Sequence, residues 1–350
     1  MKKILFVVLV NILFVSCAQA YNQWTWIWDN TNIDRREEIM RNLQANNFNR
    51  IYIQFDISRS KDSYKEFISY LKKSGVEVYL LDGNPRWIFE SEQKWLTDIV
   101  QWFNNYQSSV WKNERFVWIR LDIEPWTLPE WNTNKEDMVC KYQNTISHIR
   151  NNLLNKEEYI WLDIPFWFDE ISYNNVYWKW ILYDWLTGYA NELTLMAYRN
   201  IFDGSNGIKG LTLYEIEHHR KNNKYQLNIG IETLKSAEWS NMSFATVWYN
   251  AMIKELNMAI PYIRENNTWL DIHDYRSFLE LKWAITTSFG GQEKEQKIQK
   301  IPYIEQDNKE WDQKIQKKVS IVEIDNSPTF IQKCKFFLKS LTQIFLQLFL

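Results

Sequence analysis

The segment FVWIRLDIEPW at 116–126 puts two carboxyl groups, Asp122 and Glu124, two residues apart at the end of a β-rich run. Residues two apart on a strand face the same way, so this spacing predicts a paired-acid site. Paired carboxyls suit one kind of chemistry. One, kept protonated by its neighbour, gives a proton to a leaving oxygen, and a second group stabilises or attacks the carbon left behind. Other β-rich runs also end in polar groups: Asp29, Asp56, Asp82, Asp163, Glu232, His273 and Asp274, with Tyr198 and Arg199 closing another. Trp87, Trp126, Trp131, Trp167 and Trp239 follow in the adjoining loops. A Trp ring has a flat apolar face and one N–H, which suits the C–H face of a sugar ring as well as a protein core.

These groups need a scaffold that gathers strand ends. Eight β-rich runs lie at 24–29, 51–56, 76–82, 116–124, 159–167, 193–199, 226–232 and 269–275. Helical stretches at 33–46, 62–74, 91–107, 134–154 and 241–260 lie between them, the last stopped by Pro261. Strict alternation means parallel strands with crossover helices. Eight such units predict an α/β fold, a (β/α)8 TIM barrel over 21–290 whose site lies at the C-terminal strand ends. An open doubly wound sheet is the alternative, and it rarely has eight even units.

Strand parity is a second test. Val117, Ile119, Leu121 and Ile123 are apolar, whereas Trp118, Arg120, Asp122 and Glu124 are large or charged. The same split separates Ile51, Ile53 and Phe55 from Tyr52, Gln54 and Asp56, Ile160, Leu162 and Ile164 from Trp161 and Asp163, and Leu227, Ile229 and Ile231 from Asn228 and Glu232. The apolar faces turn to the helices and the polar ones to the barrel axis. For the deeper residues, Gln54 and Arg120, this predicts a mutually satisfied network that closes the barrel. At strand ends it predicts a site. His273 is expected to be a hydrogen-bonding structural residue, and His218 and His219 surface residues on a helix.

The chain has 350 residues, 45% of them hydrophobic and 24% charged, with a net charge of −2. Without a basic block there is no phosphate-neutralising footprint, so nucleic acid is not an expected partner. No metal motif, phosphate loop or dinucleotide fingerprint is present, and no cofactor is expected. Residues 1–20 read as a signal peptide ending Ala18-Gln19-Ala20, which predicts a secreted, periplasmic or cell-surface protein. Cys17 in Phe14-Val15-Ser16-Cys17 keeps open a lipidated, membrane-held form. After Gly290-Gly291, residues 291–350 form a charged linker and an apolar tail. That tail is read three ways: docked on the barrel, lying on a membrane, or an artefact of the gene model.

On these residues the chain resembles the (β/α)8 glycoside hydrolases, and most closely the chitinase-like family 18. Asp122-Ile123-Glu124 is similar to the end of that family's DxxDxDxE signature, and Met196-Ala197-Tyr198 to the start of its MxYD motif. The resemblance implies Glu124 as proton donor, Asp122 as the residue orienting an acetamido group, and Tyr198 as support for the intermediate. Val117 and Arg120 stand where the signature has its first two Asp residues, and Arg199 where MxYD has its Asp. A second resemblance is to glycosidases with acid/base and nucleophile Glu residues on strands four and seven, which implies Glu124 and Glu232; there Ile123 replaces the usual Asn. Carbohydrate is the implied substrate, with Asp56, Asp163, Trp126, Trp167, Arg199, His273 and Asp274 as binding candidates. The alternatives are a non-catalytic carbohydrate-binding barrel and a cell-surface interaction protein.

Overall fold

The computed structural model describes residues 23–153, 159–235 and 240–288. The leader at 1–20 with Cys17, the loop residue Trp239, and the linker and tail at 291–350 lie outside the described residues.

Among the described residues there are ten strands: β1 (Gln23–Ile27), β2 (Phe48–Gln54), β3 (Glu77–Asp82), β4 (Ile119–Leu121), β5 (Ile160–Pro165), β6 (Ser172–Asn175), β7 (Trp178–Ile181), β8 (Glu192–Met196), β9 (Gln226–Glu232) and β10 (Trp269–His273). Eight of them, all but β6 and β7, close into one barrel in the order β1-β10-β9-β8-β5-β4-β3-β2, every pairing parallel. The longer crossover helices are α1 (Arg36–Ala45), α2 (Lys61–Lys72), α3 (Gln93–Ser109), α4 (Lys135–His148), α5 (Leu213–Lys221), α6 (Tyr249–Glu265) and α7 (Tyr275–Ser288). Helix α2 shows how they form. Ser60 caps its first turn by accepting from the Ser63 N–H, and Tyr64, Phe67, Ile68 and Leu71 bury one face against the sheet.

The inward faces are aromatic rather than branched: Trp24, Trp26, Tyr52, Tyr79, Leu81 and Trp161 form a separate interior cluster. At Gly230 a Cβ would press on the Leu195 carbonyl oxygen (3.2 Å) and Thr194 Cγ2 (3.3 Å) of neighbouring β8. Among these rings sits Arg120, fully buried, with its guanidinium carbon 4.0, 3.8 and 4.5 Å from the ring centres of Trp26, Tyr52 and Trp161. Its Nε donates to Asp163 Oδ2 (2.9 Å), Nη2 to Asp163 Oδ1, and Nη1 to Asp271 Oδ2 (2.9 Å). Asp271 also accepts from Thr194 Oγ1 (2.9 Å) and Tyr52 Oη (3.1 Å). The buried charges are therefore paired and hydrogen-bonded, as low-dielectric surroundings demand.

Several elements differ from the sequence reading. Regular pairing in β4 covers three residues rather than 116–124. Helix α6 starts at Tyr249 and runs past Pro261 to Glu265. Pro261 is exposed, while Met252, Leu256, Ala259 and Ile263 continue one buried stripe across it, so packing outweighs a lost solvent-side hydrogen bond. His219 is 3% exposed, not a surface residue, because it shares the buried face of α5 with Ile216. His218 is largely enclosed too, within reach of Tyr225 Oη (3.1 Å). The hairpin β6–β7 follows β5 and is absent from the eight-run pattern.

Candidate active site

At the end of β4 the chain leaves the sheet. Glu124 adopts φ −109° and ψ 65°, and Pro125 opens a short 3₁₀ turn to Thr127. Its fixed φ suits that first position. This exit sets Asp122 and Glu124 at the mouth, directly above Arg120. Asp122 is part-exposed as a residue, but its Oδ1 is enclosed without a hydrogen-bond partner. Burial pushes its carboxyl well above the ordinary aspartate range. The charges of Glu124 and Asp163 add to this, and Arg120 offsets part of it. The sequence predicts that Asp122 raises Glu124; in the structure Glu124 is in turn the second cause, after burial, of the raised Asp122 carboxyl.

Across the mouth, Glu232 closes β9 at 8% exposure. Its Oε1 accepts from the Leu234 N–H (2.6 Å), and its Oε2 is 2.8 Å from His273 Nδ1. The indole N–H of Trp28 donates to His273 Nε2 (2.7 Å), so Nδ1 carries the ring proton and donates to Glu232. Two donors thus hold Glu232 as a fixed acceptor. Tyr198 stacks on the His273 ring, centroids 5.9 Å apart. Burial and the charges of Glu232 and Asp122 hold its hydroxyl firmly protonated, ready to donate. His273 is the orienting link between Trp28 and Glu232, and Trp28 itself was missed in the sequence. The alternation Trp24, Trp26, Trp28 points to it, since the third member must reach the mouth.

Asp163 is not at the surface of the mouth. It is 1% exposed and both its oxygens are taken by Arg120, which makes it a counter-ion below the site. Asp56 and Asp274 sit at strand exits, but each commits Oδ1 to the local turn. Asp56 accepts from Ser58 N–H (2.8 Å) and Oγ (2.6 Å), and Asp274 from Ser277 N–H (2.8 Å) and Oγ (2.8 Å) at the start of α7. A carboxylate between strand and helix is also what a helix start needs. Trp126 and Trp167 are half-buried and meet edge to face at 6.1 Å, each also against Phe168. Trp87 and Trp131, at 5% and 3% exposure, belong to the core.

A cleft of about 450 Å³ opens over the ends of β2 and β3, lined by Asn30, Asp56, Asp82, Asn84 and Trp95 among others. Trp95 is 60% exposed. It went unremarked in the sequence, although the first turn of a helix that follows a strand must lie at the mouth. Burial pushes the Asp82 carboxyl up to about 6, with the Gly83 N–H offsetting part of the shift. A raised carboxyl favours the fold while it is protonated. That contribution is complete below the ordinary value of 3.8 and is lost as pH rises through about 6. Asp82→Asn should therefore gain stability relative to wild type across that interval. Urea midpoints from pH 4 to 7 that moved in parallel for the two proteins would contradict this.

Gly83 ties this cleft to the acid pair. A Cβ there would lie 1.9 Å from the Asp122 carbonyl oxygen, a backbone contact that no rotamer can relieve. Gly83→Ala should shift the end of β4 at a cost of about 1–3 kcal/mol, the usual range for overpacking. A thermal melt and a crystal structure with Asp122 unmoved would refute it.

Among the described residues, no group of three or more His, Cys, Asp or Glu side chains could hold a metal ion, and no helix is long and apolar enough to cross a membrane. No family model matches the chain, and no curated protein does. Among solved structures it is similar to a chitinase from Bacteroides thetaiotaomicron (10% identity, 74% of this chain and 91% of that one, TM-score 0.47). It is also similar to a family GH18 chitinase from Cycas revoluta in complex with allosamidin (10% identity, 77% and 100%, TM-score 0.42). A third is an uncharacterized protein from Clostridium thermocellum that binds two copies of 5-methyl-5,6,7,8-tetrahydrofolic acid (9% identity, 77% and 95%, TM-score 0.41). These are similarities of chain path; the chemistry of this mouth rests on its own side chains.

Proposed function

We propose that the mouth is a glycan-processing site in which the Asp122–Glu124 pair supplies a proton to a glycosidic oxygen, Glu124 being the donor. The observation that carries this is the enclosed, unpartnered Oδ1 of Asp122 beside Glu124. An isolated carboxyl has lost its proton at neutral pH, whereas enclosure and a like charge keep one on the pair. Glu232, fixed by the Leu234 N–H and His273, is the second carboxyl, which would stabilise or attack the anomeric carbon. Tyr198 supplies a donor to an oxygen developing charge. Trp126 and Trp167, in the loops after β4 and β5, are part-exposed, and Trp95 is exposed over the cleft at the ends of β2 and β3, which supports a sugar as ligand. The leader-like segment 1–20 supports export of the protein, with Cys17 or the 291–350 tail as its tie to a membrane or cell surface.

The test is release of new reducing ends from a broad panel of polysaccharides, alongside binding to the same panel. Turnover that depends on Glu124 supports the reading. Binding with no turnover across the panel selects a non-catalytic carbohydrate-binding barrel instead.

A further inference from the structure

The groups gathered so far are mostly acids, yet a cation stands at the same rim. Arg199 follows Tyr198 beyond β8 and is part-buried. Its Nε donates to Asn206 Oδ1 (2.9 Å), its Nη1 donates to the Tyr198 carbonyl (2.7 Å), and its guanidinium carbon lies 5.3 Å from the Phe166 ring centre. Arg50, Arg59 and Arg120 are enclosed as well, and each holds a carboxylate. Arg199 makes no ion pair among the described residues. Burial works against its charge and draws its pKa down from the ordinary arginine value.

Two hydrogen bonds and a ring therefore fix the plane of this guanidinium, while its Nη2 edge has no partner among the described residues. A part-buried cation has lost some of its hydration, which an anion at the open Nη2 would offset. A fixed guanidinium edge also matches a planar or tetrahedral oxyanion through two parallel hydrogen bonds. Its place is informative too. Tyr198, one residue before it, stacks on His273, and His273 holds Glu232.

We propose that Arg199 receives an acidic substituent of the glycan, a carboxylate or a sulfate, so that the ligand class is acidic rather than neutral glycans. This rests on the glycan reading of the mouth. Arg199 is then a specificity-determining residue, set apart from the proton transfer at Asp122 and Glu124. A purely structural Arg199 would pin Asn206 and the Tyr198 carbonyl, and would give no discrimination between charged and neutral sugars.

The experiment is calorimetric titration of the full chain with matched oligosaccharide pairs. One pair is a uronic-acid oligomer and its carboxyl-reduced counterpart; the other is a sulfated oligomer and its desulfated counterpart. The expected result is at least tenfold tighter binding of the acidic member in one pair, about 1.4 kcal/mol. Which pair shows it distinguishes carboxylate from sulfate. The preference should shrink as salt is raised, vanish in Arg199→Gln, and survive in part in Arg199→Lys, which keeps the charge without the fork. Equal binding within both pairs, or a full preference retained in Arg199→Gln, overturns the inference and leaves the glycan site standing. No binding of any oligosaccharide overturns both. The wild-type pairs and their salt dependence need no variant, so a poorly folding Arg199→Gln cannot shield the proposal.

Discussion

Glu124→Gln is expected to lower kcat on any glycan the protein cleaves by about 10²–10⁴, the usual contribution of a general acid–base group. Glutamine keeps the shape and a hydrogen-bonding end but has no proton to give. The loss should therefore fall on kcat far more than on KM, the sign of an interaction made in the transition state. Asp122→Asn tests the same pair from its other member. Removing a like charge lowers the pKa of the carboxyl that remains, so the alkaline limb of the pH–rate profile should move to lower pH. Wild-type rates for Glu124→Gln on every accepted substrate would end the assignment. An unmoved alkaline limb in Asp122→Asn would show that the two acids do not share a proton.

Arg120→Met should destabilise the fold by about 3–5 kcal/mol, because it strands two buried carboxylates with no cation between them. Asp163 and Asp271 are 1% and 0% exposed, so water cannot replace the guanidinium. The ring stacking with Trp26, Tyr52 and Trp161 is lost as well. Equilibrium urea unfolding measures the effect. The discriminating control is Arg120→Met combined with Asp163→Asn and Asp271→Asn, which removes the stranded charges and should recover much of the loss. A single variant within about 1 kcal/mol of wild type, on the scale of an exposed ion pair, would mean that the network closes the barrel without supporting it.

Much of this scaffold is legible in the sequence because barrel strands carry two opposed faces. Ile119 and Leu121 pack towards the helices while Arg120 turns to the axis, as the alternation requires. The hairpin β6–β7 hides for the opposite reason. Its turn has no Asn-Gly or Asp-Gly signal, and the residue at positive φ, 75°, is Trp178, a side chain that rarely adopts it. At the site, position was easier to read than occupation. That Asp163 points inward follows from parity, but that Arg120 takes both its oxygens needs the three-dimensional register of β4 and β5. Asp56 and Asp274 show a related limit, since the residue types that bind sugar hydroxyls are also those that tie off turns. Gly83 gave no signal at all. Its need to be glycine comes from the Asp122 carbonyl, 39 positions further along the chain.

The charge cluster beneath the mouth also constrains how such a barrel can diverge. Arg120, Asp163 and Asp271 come from β4, β5 and β10, and exchanging any one alone leaves an unbalanced charge in an aromatic interior. The three positions should therefore drift together. A descendant barrel with an apolar residue at 120 is expected to have neutral residues at 163 and 271 as well, while remaining free to vary Arg199 at the rim as its ligands change.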